Sequence, residues 1–304
     1  MSERYPDIRV QSDGMDVPVP NRLTLRFFMH RSHQEFAPGL LCALDTYTQA
    51  VGPRTLAWYP DMEGDWRELD ARAWERMRQD LLKHDSFFAT LVDRPDGTMD
   101  FMFEYSGISR EAPGLLDDSR RACVATFHLP IEFLEQRGPG QVRELALQLA
   151  ASLPFHSGYV SLSFNTSYQF AGVTRQVDKL CFRYPGMDVL EDRVSWDIGT
   201  RIPGAYWLTF LGPPVLGELG GVEGLRTRLS SPGTTVQALE GDRALVTLGE
   251  WPEAGDLEAG RNLPAYRELA RVLEPWLYHC EPDAFIHYDF SSADRLRWER
   301  RFLD

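Results

Sequence analysis

Cysteine is scarce in this chain and never paired. Cys42, Cys123, Cys181 and Cys280 lie far apart in 304 residues with no C-x-x-C spacing, which excludes a disulfide scaffold or a zinc ribbon and predicts reduced core thiols. Long apolar runs are missing too. No stretch reaches the roughly 18 uncharged apolar residues of a membrane span, and the opening MSERYPDIRVQSDG lacks the apolar core of an export signal. A cytoplasmic location without a membrane partner is therefore expected. Positive charge is in deficit: the net charge is −13 and the pI about 5.0. That argues against a nucleic-acid binder, which must neutralise phosphates, and favours a basic partner.

Catalytic signatures are absent as well. There is no G-x-S-x-G elbow, H-E-x-x-H helix or G-x-x-x-x-G-K-[ST] loop. The glycines of Gly220-Gly221-Val222-Glu223-Gly224 come without the lysine of a phosphate loop and read as a helix break or linker. His30-x-x-His33 has no third ligand at a local spacing and reads as a polar pair at a strand end. His279, Cys280, Glu281 and Asp283, with His287 and Asp289 beyond, offer ligand atoms without the tight pairing of a zinc site. That segment reads as a solvated polar face. Ser157, Ser161 and Ser163 alternate along a strand without a neighbouring base. No catalytic residue, cofactor or metal is assigned, although a triad gathered from distant residues stays open.

What is present is a globular composition, 43% hydrophobic, 12% aromatic and 25% charged. Residues 1–22 are polar and proline-punctuated and read as a loosely attached lead-in. Residues 23–304 read as an α+β domain, either single or in two coupled halves divided near 107–120. Strands are predicted over 23–30, 55–59, 87–92, 99–105, 123–129, 158–164 and 206–210, with a hairpin over 235–248. Helices are predicted over 35–51, 69–83, 142–153, 214–229, 264–276 and 292–302. The order suggests antiparallel-rich mixed sheets with packed helices and a degenerate duplication of β-α-β units.

Three acidic stretches are candidate binding surfaces. Residues 61–70 hold five carboxylates and one arginine, and there Asp61, Glu63, Asp65 and Glu68 surround Trp66. Residues 250–258 repeat the pattern, with Glu250, Glu253, Asp256 and Glu258 around Trp251. Residues 281–294 add four more carboxylates without a base. An aromatic anchor flanked by carboxylates suits a basic cleft on a partner, the charges raising the association rate and the ring supplying affinity.

The stretch Phe182–Pro214 is built for shape, with several glycine or proline turns around aromatic residues. Its motifs are RYPG-x-D from Arg183 (Tyr184, Pro185, Gly186), SWD-x-G-T-R-I from Ser195 (Trp196, Asp197, Gly199) and WL-x-FLG-x-P-x-L from Trp207. The chain closes on RW-x-RRF, with Trp298. Gly186 and Gly199 are expected in turns, and Trp196 and Trp207 in the core. Together these motifs resemble the type VI immunity family, whose TsiV-like members neutralise effectors delivered by type VI secretion in Gram-negative bacteria. The resemblance implies a cytoplasmic protein that binds a cognate toxin, with nuclease effectors among the characterised partners, and masks its active or substrate-binding surface. Such a toxin must present a basic surface to nucleic acid, which an acidic inhibitor complements. The rival expectations are a detoxifying or toxin-modifying enzyme working near His279, Cys280 and His287, and a structural adaptor of the secretion machinery.

Overall fold

The computed structural model describes residues 4–12, 14–95, 99–110, 120–165, 173–189, 194–280 and 291–304. Its centre is a strand that alternates apolar and polar side chains. In chain order the strands are β1 (Arg9–Ser12), β2 (Met15–Pro18), β3 (Asn21–Met29), β4 (Trp58–Pro60), β5 (Trp66–Glu68), β6 (Phe87–Val92) and β7 (Met102–Gly107). They continue as β8 (Cys123–Pro130), β9 (Ser157–Phe164), β10 (Met187–Asp188), β11 (Leu208–Leu211), β12 (Thr234–Leu239) and β13 (Arg243–Leu248). The helices are α1 (Ala37–Val51), α2 (Ala71–Lys83), α3 (Ile131–Arg137), α4 (Pro139–Ser152) and α5 (Val173–Arg183). After them come α6 (Val194–Asp197), α7 (Val215–Glu218), α8 (Gly221–Arg228), α9 (Pro264–Leu273) and α10 (Ser292–Glu299).

Eleven strands form one sheet in the order β12-β13-β11-β9-β3-β8-β7-β6-β4-β5, with β10 added beside β9. Only the β9–β10 pair is parallel among the described strand pairs. Strand β3 pairs along its length with β8 and β9, so period-two alternation sends Leu23, Leu25, Phe27 and Met29 to one face and Arg22, Thr24, Arg26 and Phe28 to the other. The first face lies under helices: Tyr47 of α1 packs on Phe127, which stands opposite Leu25. Arg143 of α4 reaches Thr247 on the same face. The second face carries polar rows, one running Met102, His128, Thr24, Ser161 and the next Glu104, Thr126, Arg26, Tyr159, Thr209 across successive strands.

The α+β class and the antiparallel sheet match the sequence reading, with informative departures. The lead-in is not loose: β1 and β2 form a hairpin, and Tyr5, Ile8, Val10 and Val19 are buried in the main core. The prolines around it punctuate a docked hairpin and do not signal slack chain. Strands β7 and β8 lie side by side, so one sheet continues across residues 107–120. The single helix expected over 214–229 is broken in two where Gly220 and Gly221 take φ of 85° and 69°. Helix α3 was not anticipated, because its seven residues are too short for a periodic signal. Asp96 and Gly97, between the strands expected over 87–92 and 99–105, lie outside the described residues, and those strands pair as β6 and β7. Cys42 is exposed and not a core thiol, since it falls on the outer side of α1.

Helices α1 and α4 approach closely at Gly39, where an added Cβ would overlap the Ser152 carbonyl, whereas a Cβ at Gly140 in α4 meets open space. Gly39→Ala is expected to lower the unfolding free energy by about 1–3 kcal/mol through overpacking. Gly140→Ala should leave it unchanged or raise it by about 0.5–1 kcal/mol. Urea unfolding midpoints of the two variants check the contrast.

Candidate functional site

The first acidic stretch folds as a hairpin at the edge of the sheet. Strands β4 and β5 pair Trp58 with Glu68 and Pro60 with Trp66, and Gly64 closes the turn at φ 88°. Asp61 is spent on the turn itself: its Oδ1 accepts from the amides of Glu63 (3.0 Å) and Asp65 (2.9 Å), and its Oδ2 from Arg67 Nε (2.7 Å). The Arg67 hydrogen bond holds the Asp61 carboxyl below its usual range. Asp70 caps α2 by accepting from the Ala73 amide. Glu63, Asp65 and Glu68 remain exposed, Trp66 is half-buried, and Met62 at the tip is fully exposed. Carboxylate oxygens of Asp61, Glu63 and Asp65 lie within 4.8 Å of one another. With Asp61 already engaged by a guanidinium, the trio concentrates negative charge and gives no sign of a built ion site.

The second stretch has a different role. Asp256 is buried, and it receives Arg183 Nε (3.0 Å) and Nη2 (3.0 Å) in a two-pronged pair, with Arg261 Nη2 at 3.2 Å. The Arg183 hydrogen bonds pull its carboxyl down to about 2. Asp256 is therefore corrected from a candidate partner contact to an internal clamp on the RYPG turn. Trp251 is half-buried with the Arg4 guanidinium 4.3 Å from its ring centre, leaving Glu250, Glu253 and Glu258 exposed. Eight strand spacings of about 4.8 Å separate β13, which this loop follows, from β5. The two acidic loops thus do not form one patch. In the third stretch, Glu281, Asp283, His287 and Asp289 lie outside the described residues.

The motif residues converge on the packing of the C-terminal segment. A Cβ at Gly186 would overlap the Glu253 carbonyl, and the Gly186 amide donates to Ala254 O at 2.9 Å. Tyr184 is buried; Pro185 O accepts from Arg301 Nε at 3.0 Å, and the Arg301 guanidinium lies 3.9 Å from the Trp298 ring centre. Asp188 is buried and accepts from Tyr159 (2.7 Å) and Tyr206 (3.2 Å), whose rings stack at 3.9 Å, and burial raises its carboxyl pKa. A cavity of about 40 Å³ beside them, lined also by Arg26 and Arg301, has room for only a few waters. Trp207 is buried with Nε1 directed to Gly249 O, and Trp298 is buried against Phe182. Trp196 corrects the sequence reading: at 58% exposure it is not a core residue, because the short α6 turns it outward. Its neighbour Asp197 faces in and accepts from Tyr278 at 2.6 Å, and Gly199 takes φ 57°.

The structure does bring together a hydroxyl, an imidazole and a carboxylate that no local motif announced. Thr24 Oγ1 lies 3.1 Å from His128 Nδ1, and His128 Nε2 lies 3.2 Å from Glu104 Oε2. Thr24 and Ser163 behind it are fully buried, and neither borders the cavity beside Asp188 or a second, open one of about 380 Å³ lined by Asp197, Arg201, Tyr278 and His279. Burial also lowers the His128 pKa to about 4. The trio is a strand-to-strand tie whose hydroxyl and imidazole are closed to solvent, with the Glu104 carboxylate alone partly accessible. His33 is likewise internal, its ring nitrogens meeting Tyr105 and Leu81 at 2.8 Å, so His30-x-x-His33 holds no ligand pair facing outward. His279 and the Cys280 amide are both engaged by Glu299.

The described residues thus form an α+β chain with buried titratable ties inside the sheet and exposed carboxylates on two separate loops, one of them the edge hairpin. Residues 40–302 match the family described as TsiV, type VI immunity for VRR-NUC, and the chain belongs to that family. Among solved structures it is similar to the Pseudomonas aeruginosa T6SS protein PA0821, with a TM-score of 0.74 at 20% identity over 94% of this chain and 82% of that one. That likeness concerns the fold. No curated protein matches the chain. No helix among the described residues is long and apolar enough to cross a membrane.

Because the folded-state pKa of Asp256 is depressed, its pairing stabilises the fold above the ordinary carboxylate range, and this contribution is lost as pH falls toward 2. Asp256→Asn should therefore lower the unfolding free energy at pH 7 by about 1–3 kcal/mol. The difference from the wild type should shrink progressively below pH 4. Paired urea titrations at pH 7, 4 and 2.5 check this; a pH-independent difference would mean that the ion pair is not its source.

Proposed function

We propose that this protein is a stoichiometric immunity protein that binds a cognate type VI effector, a nuclease with a basic surface, and masks its active or substrate-binding face. The observation that carries the reading is the family match across residues 40–302. The net charge of −13 and the exposed carboxylates of the β4–β5 hairpin support a basic partner. Among the described residues the Thr24–His128 pair is fully buried and borders neither cavity, which favours masking over turnover at that cluster. Protection in the producing cytoplasm requires little free toxin, hence a Kd of about 1 nM or lower.

The test uses a candidate nuclease effector, sought first among the genes adjacent to this one. The two proteins should co-purify at 1:1, and protection should saturate at equimolar protein; neutralisation by sub-equimolar amounts would point to the enzymatic alternative instead. Protection that required other secretion genes would favour the adaptor. Glu63→Lys, Asp65→Lys and Glu68→Lys combined, with Asp61 kept because it holds the turn, should slow association about tenfold or more at low salt. The difference should narrow at physiological ionic strength, where screening acts beyond about 8 Å. Stopped-flow association rates across salt concentration read this directly.

A further inference from the structure

The second face of the sheet changes character toward its β5 edge. In β3, β8 and β9 the polar side chains of this face are buried. Three to five strands beyond β3, the same face presents Phe88 of β6, Trp58 of β4, and Trp66 and Glu68 of β5, assigned to one face by the register that pairs Phe88 with Ser106 and Trp58 with both Glu68 and Val92. None of the three aromatic residues belongs to a hydrophobic core cluster, whereas their opposite-parity neighbours Tyr59, Phe87, Ala89 and Leu91 all do. Phe88 is 63% exposed and Met62 completely so.

Toward the β5 edge the charge on this face has one sign, its arginines Arg22 and Arg26 lying buried farther in on β3. Glu68 is exposed, and Glu104, opposite Thr90 on the same face, keeps 37% of its side chain accessible while its Oε2 takes His128. Glu63 and Asp65 extend the rim at the tip. The hairpin's own Arg67 has the opposite parity and is tied to Asp61. Aromatic faces beside carboxylates suit a planar guanidinium, which stacks on a ring while its N–H fork meets a carboxylate. A second copy of this chain would bring two acidic rims together and is disfavoured for that reason.

Resting on the immunity reading above, we infer that this aromatic, acid-rimmed end of the sheet, centred on Trp66, Trp58 and Phe88, is the docking surface for an arginine-bearing segment of the effector. The hairpin carboxylates attract the segment, and the rings hold it. The site is therefore a sheet face with its hairpin, wider than the acidic loop alone.

Calorimetric titration of the cognate effector into the wild type, Phe88→Ala, Glu68→Arg and Trp196→Ala tests this, with circular dichroism confirming the fold of each. Phe88→Ala is expected to weaken binding at least tenfold and Glu68→Arg at least as much, while Trp196→Ala, exposed on a different element, stays within twofold. Replacing the contacting effector arginine with lysine should also weaken binding, since charge is kept and planarity lost. Phe88→Ala and Glu68→Arg both within twofold of a tightly binding wild type would overturn the docking face and leave the immunity reading standing. A wild type that forms no 1:1 complex would overturn both. A dimer of the free protein that Phe88→Ala dissolves would assign the face to a second copy and so overturn it as well.

Discussion

The rest of the molecule depends on β3 being paired on both sides while carrying polar residues on alternate positions. Its apolar set is stabilised by burial under α1 and α4, but Arg22, Thr24 and Arg26 are buried too, on the opposite face. A buried polar group without a partner costs about 1–3 kcal/mol, so the neighbouring strands must present matching groups in register. They do: Thr24 meets His128 and Ser163, and Arg22 meets Asn165. A one-residue slip would place these side chains against the helices and the apolar set against the polar rows. Register, and with it the position of every strand outward to β5, is thereby specified by polar as well as apolar contacts.

The family motifs act on the same problem from outside the sheet. Arg183, Arg301 and Asp188 come from segments that contribute little strand of their own, yet each engages a partner distant in sequence: Asp256, Pro185 and Tyr159. Because the arginines pair bidentately or stack on Trp298 and the carboxylate of Asp188 is shared by two stacked tyrosines, these ties fix orientation as well as proximity. Their chemistry resembles that of an active site only superficially. The accessible volume beside Asp188 admits water and little else, and the Thr24–His128–Glu104 chain is closed to it.

Much of this was legible in the residues. Strand alternation located β3, β6, β8 and β9 nearly to the residue, and the hairpin expected over 235–248 is the β12–β13 pair. What composition could not reveal was which acidic or aromatic residues face outward. Glu250–Glu258 and Asp61–Asp70 read alike as sequences, yet Asp256 is buried beneath two arginines that are distant or hidden in a local reading, whereas Glu63 and Asp65 are exposed. Phe27-Phe28 and Phe87-Phe88 make the point more sharply. Period two sends one ring of each pair to either face. Phe28 is fully buried because the second face is covered at the centre of the sheet, and Phe88 is exposed because three strands away it is not. Parity is written in the sequence; coverage depends on where the strand falls in the sheet order, which only the fold supplies.

An edge strand that presents unpaired backbone invites association with other chains, and the two edges of this sheet answer that hazard differently. At β12 the guanidinium of Arg226 caps the outward carbonyl of Val236, and the strand is braced by α8. At β5 the strand is only three residues long and two of those are charged, so little backbone is on offer. What remains at that end is side-chain surface: rings that favour desolvation inside a rim that repels its own kind. An acidic rim around apolar anchors keeps the free protein dispersed and lowers the barrier only for a partner of opposite sign. On the docking proposed above, the same carboxylates would serve solubility in the free protein and selectivity toward a basic partner, so their placement beside the aromatics matters more than their number.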